Sequence, residues 1–180
     1  MRIVAGKYKG KQLFVPKGLD VRPTLERTRE ALFSILYSMG INFADIDVLD
    51  VFAGTGAFGF EALSRGAKTV TFIDIDTKPV LKNAALFEKE KNKIEIIKSD
   101  VAHITYRQKK YNLIFMDAPY AKGLTEIAIA NLVKKDLIAE NALCLIETRK
   151  DEDIKFPECF ELCDERIYAI NKIKFFWYKK

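Results

Sequence analysis

The sequence predicts an α/β fold built on an open, mostly parallel β-sheet. Three observations support this prediction. Short apolar runs of strand length alternate with segments of helical periodicity between residues 48 and 146. A glycine-rich loop at 54–59 follows the first of these runs. The last two apolar segments, at 160–170 and 173–178, have no helical segment between them, which predicts an antiparallel hairpin at one edge of the sheet.

The elements follow one another with regular spacing. Residues 2–15 alternate apolar and basic side chains around two glycines, which predicts a small basic β-hairpin. Pro23 and Thr24 begin an amphipathic helix that ends at Gly40. Strands are then predicted at 48–52, 69–73, 94–97, 111–116 and 143–146, with helices after the glycine loop, at 79–91 and at 125–137. We expect an N-terminal extension, 1–40, on a main domain, 41–180, within one compact unit.

The composition excludes several classes of protein. With 180 residues, nearly half of them hydrophobic, the chain can bury the core of one domain. No apolar stretch reaches the roughly 20 residues of a membrane span, and the N-terminus has no apolar signal core. Three cysteines without a CxxC pair and a single histidine offer no metal site. We therefore expect a cytoplasmic, metal-free protein with reduced cysteines and no membrane partner.

The positive charge is confined to the beginning of the chain. Residues 1–29 carry eight basic and two acidic side chains, a net charge of +6, whereas the other 151 residues carry 22 basic and 23 acidic side chains. Such a cluster favours binding to phosphates, although a solvated basic face is the alternative. The side chains that we expect to contact nucleic acid are Arg2, Lys7, Lys9, Lys11, Arg22, Arg27 and Arg29. Arg22, Arg27 and Arg29 lie at or near the N-terminal end of the first helix, where a phosphate or a carboxylate can bind them; surface solubility is the alternative.

The glycine loop predicts a binding site for an adenosine cofactor. Gly54, Gly56 and Gly59 allow the backbone to turn sharply and to approach a ligand, and the helix that follows offers free N–H groups. Asp74 follows the next predicted strand, where its carboxylate can accept hydrogen bonds from both ribose hydroxyls. Asp76 is a nearby competitor for this role. These residues suit NAD and S-adenosylmethionine equally well.

The sequence Asp117-Ala118-Pro119-Tyr120 directly follows a predicted apolar strand and indicates the reaction. The Asp117 carboxylate and the Ala118 carbonyl can accept N–H groups, and Tyr120 can stack on a flat ring. Such a turn suits a ring that bears an exocyclic amine. Holding the N–H groups localises the amine lone pair on nitrogen for attack on a sulfonium methyl group. A buried turn with an aromatic residue is the alternative.

Four blocks of the sequence resemble the RsmD-type bacterial 16S ribosomal RNA (guanine-N2)-methyltransferases. They lie in matching order at 2–10, at 22–33, at 48–67 and at 117–120, where the sequence resembles the (D/N/S)PP(Y/F/W) motif of amino-group methyltransferases. The antiparallel hairpin at the end of the chain also distinguishes the methyltransferase version of the Rossmann-like architecture from the dehydrogenase version. Ala118 departs from the motif, in which the family usually has proline.

The resemblance implies a seven-stranded, Rossmann-like fold that binds S-adenosylmethionine and methylates N2 of one guanine in 16S ribosomal RNA, in an assembling small ribosomal subunit and without an obligate protein partner. It implies that Asp117, Ala118, Pro119 and Tyr120 bind the flipped-out guanine and form the catalytic site. The cofactor-binding residues that it implies are Asp50, Phe52, Ala53, Gly54, Thr55 and Gly56 around methionine, Asp74 and the adjacent Ile75 at the ribose, and Asp100 and Val101 near adenine.

Three other functions stay open at this point. The same amine chemistry serves DNA adenine-N6 and cytosine-N4 methyltransferases, although these usually carry a target-recognition region, and only about 40 residues precede the core here. The glycine loop and Asp74 also suit an NAD-dependent oxidoreductase. A binding module could keep the fold without catalysis.

Overall fold

A computed structural model describes residues 1–16, 23–105, 108–119, 123–152 and 154–180, with the backbone alone at 23–25. Its centre is a seven-stranded sheet with the order β3-β2-β1-β4-β5-β7-β6. The strands are β1 (Asp47–Val51), β2 (Thr69–Asp74), β3 (Ile94–Lys98), β4 (Tyr111–Asp117), β5 (Ile138–Arg149), β6 (Phe160–Tyr168) and β7 (Asn171–Tyr178). The helices are α1 (Pro23–Ser38), α2 (Ala57–Ser64), α3 (Lys78–Ala84) and α4 (Leu124–Lys134).

The first five strands are parallel, and β7 and β6 run antiparallel at one edge. The predicted α/β architecture, with seven strands and a reversed final hairpin, is confirmed. The strands β1 and β4 lie in the middle and are buried over most of their length, as parallel strands covered by helices are. Strand β5 begins five residues before the predicted start, because the chain pairs with Tyr111 at Ile138 before the register shifts.

Two apolar clusters fill the space above and below the sheet. One cluster joins the sheet to Phe33 of α1, Phe60 of α2 and Val80 of α3. The other joins the opposite face to Ile129 and Leu132 of α4. No helix in the described part of the chain is long and apolar enough to cross a membrane.

The predicted helix at 79–91 is wrong in its second half. The α-helix ends at Ala84, and a 3-10 segment, Ala85–Lys93, contains Phe87 in a non-helical conformation. The Phe87 ring is fully buried and stacks on Phe60, with the centroids 4.6 Å apart. Tyr8 of the N-terminal segment packs edge-on against the same ring. The packing of this aromatic side chain accounts for a break that helical periodicity could not indicate.

The N-terminal segment, residues 1–16, folds back on itself and lies against α2. Its two halves are joined by a bridge between Arg2 and Gln12 and by backbone hydrogen bonds, so the predicted hairpin is present in a minimal form. The carboxylate of Glu61, on α2 and without solvent exposure, accepts the backbone N–H groups of Val4 at 2.8 Å and Ala5 at 3.0 Å. These bonds attach the segment to the helix that follows the glycine loop. The division of the chain at residue 40 stays a prediction.

Glu61 also holds two buried cations. Its Oε1 lies 2.8 Å from Arg65 Nε and its Oε2 lies 3.5 Å from Arg29 Nε, and both arginine side chains are less than a tenth exposed. Replacing Glu61 by alanine would leave two buried guanidinium groups without their counter-charge, and breaking such a network costs about 3–5 kcal/mol. We expect the Glu61→Ala variant to lose stability by about this amount in urea unfolding monitored by circular dichroism.

The matched control is Glu88→Ala, which removes the same atoms from an exposed position. It should change the free energy of unfolding by less than about 0.5 kcal/mol. Equal effects of the two substitutions would show that the Glu61 network does not hold the N-terminal segment.

Candidate active site

Three carboxylates lie in one row at the carboxyl ends of the parallel strands. Asp117 of β4 is paired with Glu147 of β5. Val51 of β1 is paired with Ile73 of β2 and with Met116 of β4. Asp74 and Asp117 each follow one of these partners directly, so they stand at the same level of the sheet. Side chains in one row of a parallel sheet project from the same face. The register of the sheet therefore brings together residues up to 73 positions apart in the sequence.

A cleft of about 390 Å³ opens beside this row. Six of the ten residues predicted to bind the cofactor line it: Phe52, Gly54, Asp74, Ile75, Asp100 and Val101. Asp117 and Pro119 form the end of the cleft that adjoins β4. Ser99 and Leu124 line the cleft as well and were not predicted, since a serine in a turn and the first residue of a helix carry no distinctive signal. The structure thus joins the predicted cofactor residues and the Asp117 turn in one cleft.

The loop from Phe52 to Gly56 is held in shape from two sides. Phe52 has a φ of 61°, a backbone conformation that residues other than glycine rarely adopt. The N–H group of the next residue, Ala53, donates to the carbonyl of Ile73 at 3.1 Å. Gly56, with a φ of 75°, forms the N-cap of α2. Asn83, fully buried on α3, donates to the Thr55 carbonyl at 2.9 Å. Ala53, Thr55 and Gly56 therefore shape the loop without lining the cleft.

Asp50 of β1 and Gly59 of α2 flank the loop and are joined by a hydrogen bond. Asp50 is buried, and its Oδ2 accepts the backbone N–H of Gly59 at 2.9 Å. Burial raises the pKa of Asp50 well above its usual value, against the lowering effect of that hydrogen bond. The prediction that Gly59 allows close approach to a ligand is wrong. A Cβ atom there would lie 2.3 Å from the Phe72 ring, so this glycine lets α2 pack closely on β2.

Asp74 is the better placed of the two carboxylates that the sequence left in competition. Its Oδ2 accepts the N–H of Gly54 at 2.8 Å, and its Oδ1 accepts the N–H of Asp76 at 2.8 Å. Asp76 instead accepts the N–H of Lys78 at 3.1 Å at the start of α3. Asp74 therefore lies in the cleft wall with both oxygens oriented, and Ile75, 70% exposed, extends an apolar surface beside it.

Asp100 and Val101 form the far wall of the cleft. Asp100 Oδ1 accepts the N–H of Ala102 at 2.9 Å and thereby caps a short 3-10 turn. Asn131 of α4 donates to the carbonyl of Val101 at 2.6 Å, which ties this turn to the helix. Both residues line the cleft, and their contact with a bound adenine stays a prediction.

The Asp117 turn forms the boundary between the cleft and the end of β5. Ala118 is buried, whereas Asp117 and Pro119 keep part of their surface open to solvent where they line the cleft. Withdrawal from bulk water among the walls of the cleft raises the pKa of the Asp117 carboxyl to about 7, and the negative charge of Glu147 adds to the rise. Burial likewise raises the pKa of Glu147. Tyr120 lies outside the described residues.

The basic residues of the N-terminal part divide into two groups. Lys7 Nζ lies 2.5 Å from Glu90, Lys11 Nζ donates to the Leu86 carbonyl at 2.9 Å, and Arg2 Nε lies 3.2 Å from Glu26. The sequence left either a phosphate or a carboxylate as the partner of Arg29. In the structure Arg29 is buried against Glu61, so its partner is a carboxylate. Arg29 consequently does not belong to the surface that nucleic acid can reach.

Lys9 and Arg27 form the second group. Both are exposed, and neither makes an ion pair with another described residue. They line a cleft of about 420 Å³ between the N-terminal segment and α1. Arg22 lies outside the described residues. Of the predicted nucleic-acid contacts, Lys9 and Arg27 are thus the cations that the fold leaves available.

Comparison with known proteins places the chain among methyltransferases. A family model described as conserved hypothetical protein 95 matches residues 1–177. Ribosomal RNA small subunit methyltransferase D of Haemophilus influenzae is 34% identical over 176 residues, which cover 94% of this chain and 90% of that protein. A solved structure from Escherichia coli, described as that of a methyltransferase, is 30% identical, with a TM-score of 0.86 and coverage of 99% of this chain and 98% of the other.

A more distant structure shares the fold alone. The N-methyltransferase NodS of Bradyrhizobium japonicum, solved in complex with S-adenosyl-L-homocysteine, is 16% identical with a TM-score of 0.70 over 92% of each chain. The match extends across the sheet and the helices, so the Rossmann-like methyltransferase architecture covers nearly the whole chain.

The raised pKa of Asp117 can be measured directly. Because the folded protein holds this proton more tightly than the unfolded chain, the contribution of Asp117 to the free energy of unfolding falls as the pH rises from about 4 to about 7. We expect carbon-13 NMR of the side-chain carboxyl groups to show one aspartate that titrates near pH 7. The signal should be missing from the Asp117→Asn variant. A titration midpoint of Asp117 near 4 would contradict the description of this site.

Proposed function

This chain belongs to the family described as conserved hypothetical protein 95, and on that premise we propose that it transfers a methyl group from S-adenosylmethionine to the exocyclic N2 amine of a guanine in 16S ribosomal RNA. Its relatives in Haemophilus influenzae and other bacteria are named ribosomal RNA small subunit methyltransferase D. The observation that carries the proposal is the position of Asp117, which lines the cofactor cleft at the end that adjoins β4. We expect the protein to act in the cytoplasm, on an assembling small ribosomal subunit.

The cleft fits an adenosine cofactor that carries a methionine group. The Asp74 carboxylate has lone pairs left for ribose hydroxyls after it has accepted the N–H groups of Gly54 and Asp76. The exposed Ile75 side chain provides an apolar surface for a base. When bound, S-adenosylmethionine supplies an electrophilic methyl group on a positively charged sulfur. That charge also suits the acidic row at the strand ends.

The residues of the chain act on the amine. The lone pair of an aromatic amine is delocalised into the ring, which makes the nitrogen a weak nucleophile. An ionised Asp117 that accepts an N–H bond returns electron density to the nitrogen, and it can take the proton that the nitrogen releases when it bonds to carbon. The Ala118 carbonyl is the second acceptor that we propose. A proton acceptor is most effective when its pKa lies near the pH of the reaction, and the pKa of Asp117, at about 7, meets this condition.

Labelled cofactor and small ribosomal subunits reconstituted from unmodified RNA test this function. We expect label on the N2 atom of one guanosine, located by nuclease digestion and mass spectrometry. The Asp117→Asn variant should lose about a hundredfold or more in kcat, because an amide is a poor proton acceptor. Its affinity for S-adenosylmethionine in isothermal titration should stay within about threefold of the wild type.

Other outcomes would overturn the proposal. Binding of NAD without binding of S-adenosylmethionine would indicate an oxidoreductase, and label on an adenine or a cytosine would indicate a different amino-methyltransferase. Full activity of the Asp117→Asn variant would show that the amine is methylated elsewhere or that Asp117 has no part in the reaction.

The exposed cations Lys9 and Arg27 are the part of the basic segment that we propose for RNA contact. Replacing both by glutamate should weaken binding to reconstituted small subunits about tenfold or more at 0.1 M KCl. The slope of log affinity against log salt concentration should fall by up to about two, since each phosphate contact contributes about one. Filter binding at several KCl concentrations measures both quantities.

The matched control is the double variant Lys134→Glu and Lys155→Glu, which reverses two exposed charges on other elements. If both double variants weaken binding equally, the effect reflects net charge alone, and the proposed contact surface is wrong. Lys7 and Lys11 are unsuitable for this test, because their ammonium groups bond to Glu90 and Leu86.

A further inference from the structure

Glu147 is a second carboxylate beside the proposed catalytic residue. Asp117 and Glu147 are direct partners in the parallel ladder between β4 and β5. Neighbouring strands are about 4.8 Å apart, and paired side chains project from the same face. Glu147 lies on the side of Asp117 away from β1 and β2, whose ends carry the cofactor cleft. A base held by Asp117 at the cleft would therefore extend toward Glu147.

The Glu147 carboxylate is oriented by one neighbour. Asn171, at the start of β7, donates its side-chain N–H to Glu147 Oε1 at 2.5 Å. In the described part of the chain, no other side chain or backbone group donates to this carboxylate, and none donates to that of Asp117. Glu147 is half-buried and lies beside Asp117, next to the residues that line the cleft. A carboxylate oriented by Asn171 thus stands next to Asp117, which lines the end of the cleft.

Two adjacent acceptors match a base that presents two adjacent donors. Guanine does so, because its N1–H lies directly beside the N2 amine. In adenine the ring nitrogen beside the N6 amine is an acceptor, and in cytosine the ring nitrogen beside the N4 amine is an acceptor as well. An ionised carboxylate that faces such a nitrogen places two acceptors against each other, which costs free energy and excludes these bases.

We propose that Glu147 is a specificity-determining residue that accepts the N1–H of the target guanine while Asp117 accepts an N–H of the N2 amine. This inference rests on the proposed function of the site. It assigns the choice of guanine to a residue of β5, outside the Asp117-Ala118-Pro119-Tyr120 sequence, with Asn171 as the positioning residue.

A modified substrate separates recognition of N1–H from recognition of the amine. 2-Aminopurine keeps the amine at position 2 but has an unprotonated N1. Small subunits are reconstituted from ligated 16S RNA that carries guanosine or 2-aminopurine riboside at the mapped position. Methyl transfer is measured at pH 8, above the pKa of Asp117. Wild-type protein should prefer guanosine by about ten- to hundredfold, the size of one hydrogen bond to a charged group.

The Glu147→Gln variant tests the assignment. On guanosine its kcat/KM should fall about ten- to hundredfold, whereas on 2-aminopurine it should stay equal or rise, because the glutamine amide can donate to N1. The control Glu140→Gln, also on β5 and exposed, should leave both rates and their ratio unchanged. Binding of S-adenosylmethionine should be unaffected in both variants.

The possible results are distinct. If Glu147→Gln lowers kcat/KM equally on guanosine and on 2-aminopurine, or lowers it on neither substrate, the inference is overturned while the proposed function stands. If wild-type protein methylates no guanosine particle, the proposed function fails and the inference fails with it. Should Glu147→Gln not fold, Asn171→Ala serves instead, since it keeps the charge but frees the carboxylate. We expect the kcat/KM of this variant to fall severalfold on guanosine and to stay unchanged on 2-aminopurine. Equal losses of kcat/KM on both substrates would overturn the inference.

Discussion

The parallel register of the central strands is the constraint on which the site depends. Strands β2, β1, β4 and β5 all end at the same edge, and their ladders bring Asp74, Asp117 and Glu147 into one row. Backbone hydrogen bonds set this register, and the apolar faces of the strands maintain it, since a slip by one residue would move every core side chain to the opposite face. The spacing of the carboxylates is therefore as rigid as the sheet itself.

Collecting acidic groups in one row has an electrostatic consequence. Partial burial and the negative charge of Glu147 together raise the pKa of Asp117 to about 7, and burial raises that of Glu147. Asp50 lies beneath the same row, and its pKa is also raised. A positively charged cofactor and a base with several N–H donors are the ligands that relieve this concentration of carboxylates. The electrostatics of the site and the chemistry proposed for it agree in this respect.

The N-terminal segment shows how one set of charges serves two purposes. The positive charge of residues 1–29 is concentrated as nucleic-acid binding requires, yet Arg29 of α1 and Lys7 bind to Glu61 and Glu90. Arg29 thereby ties α1 to Glu61 of α2, and the backbone N–H groups of Val4 and Ala5 tie the N-terminal segment to the same carboxylate. The remaining cations, Lys9 and Arg27, are thereby held in a defined position relative to the cofactor cleft. A flexible basic tail would not have this property.

The sequence by itself determined the order of strands and helices along the chain, the reversed hairpin and six of the residues that line the cleft, because these depend on periodicity and on local turns such as that at Gly56. It favoured Asp74 over the nearby competitor Asp76 from position alone, and it could not show that Arg29 is buried or that Gly59 serves helix packing against Phe72. Those features depend on which side chains meet across the fold. Only the tertiary structure decided that Glu147 stands beside Asp117, since a ladder between β4 and β5 joins residues that thirty positions of sequence separate.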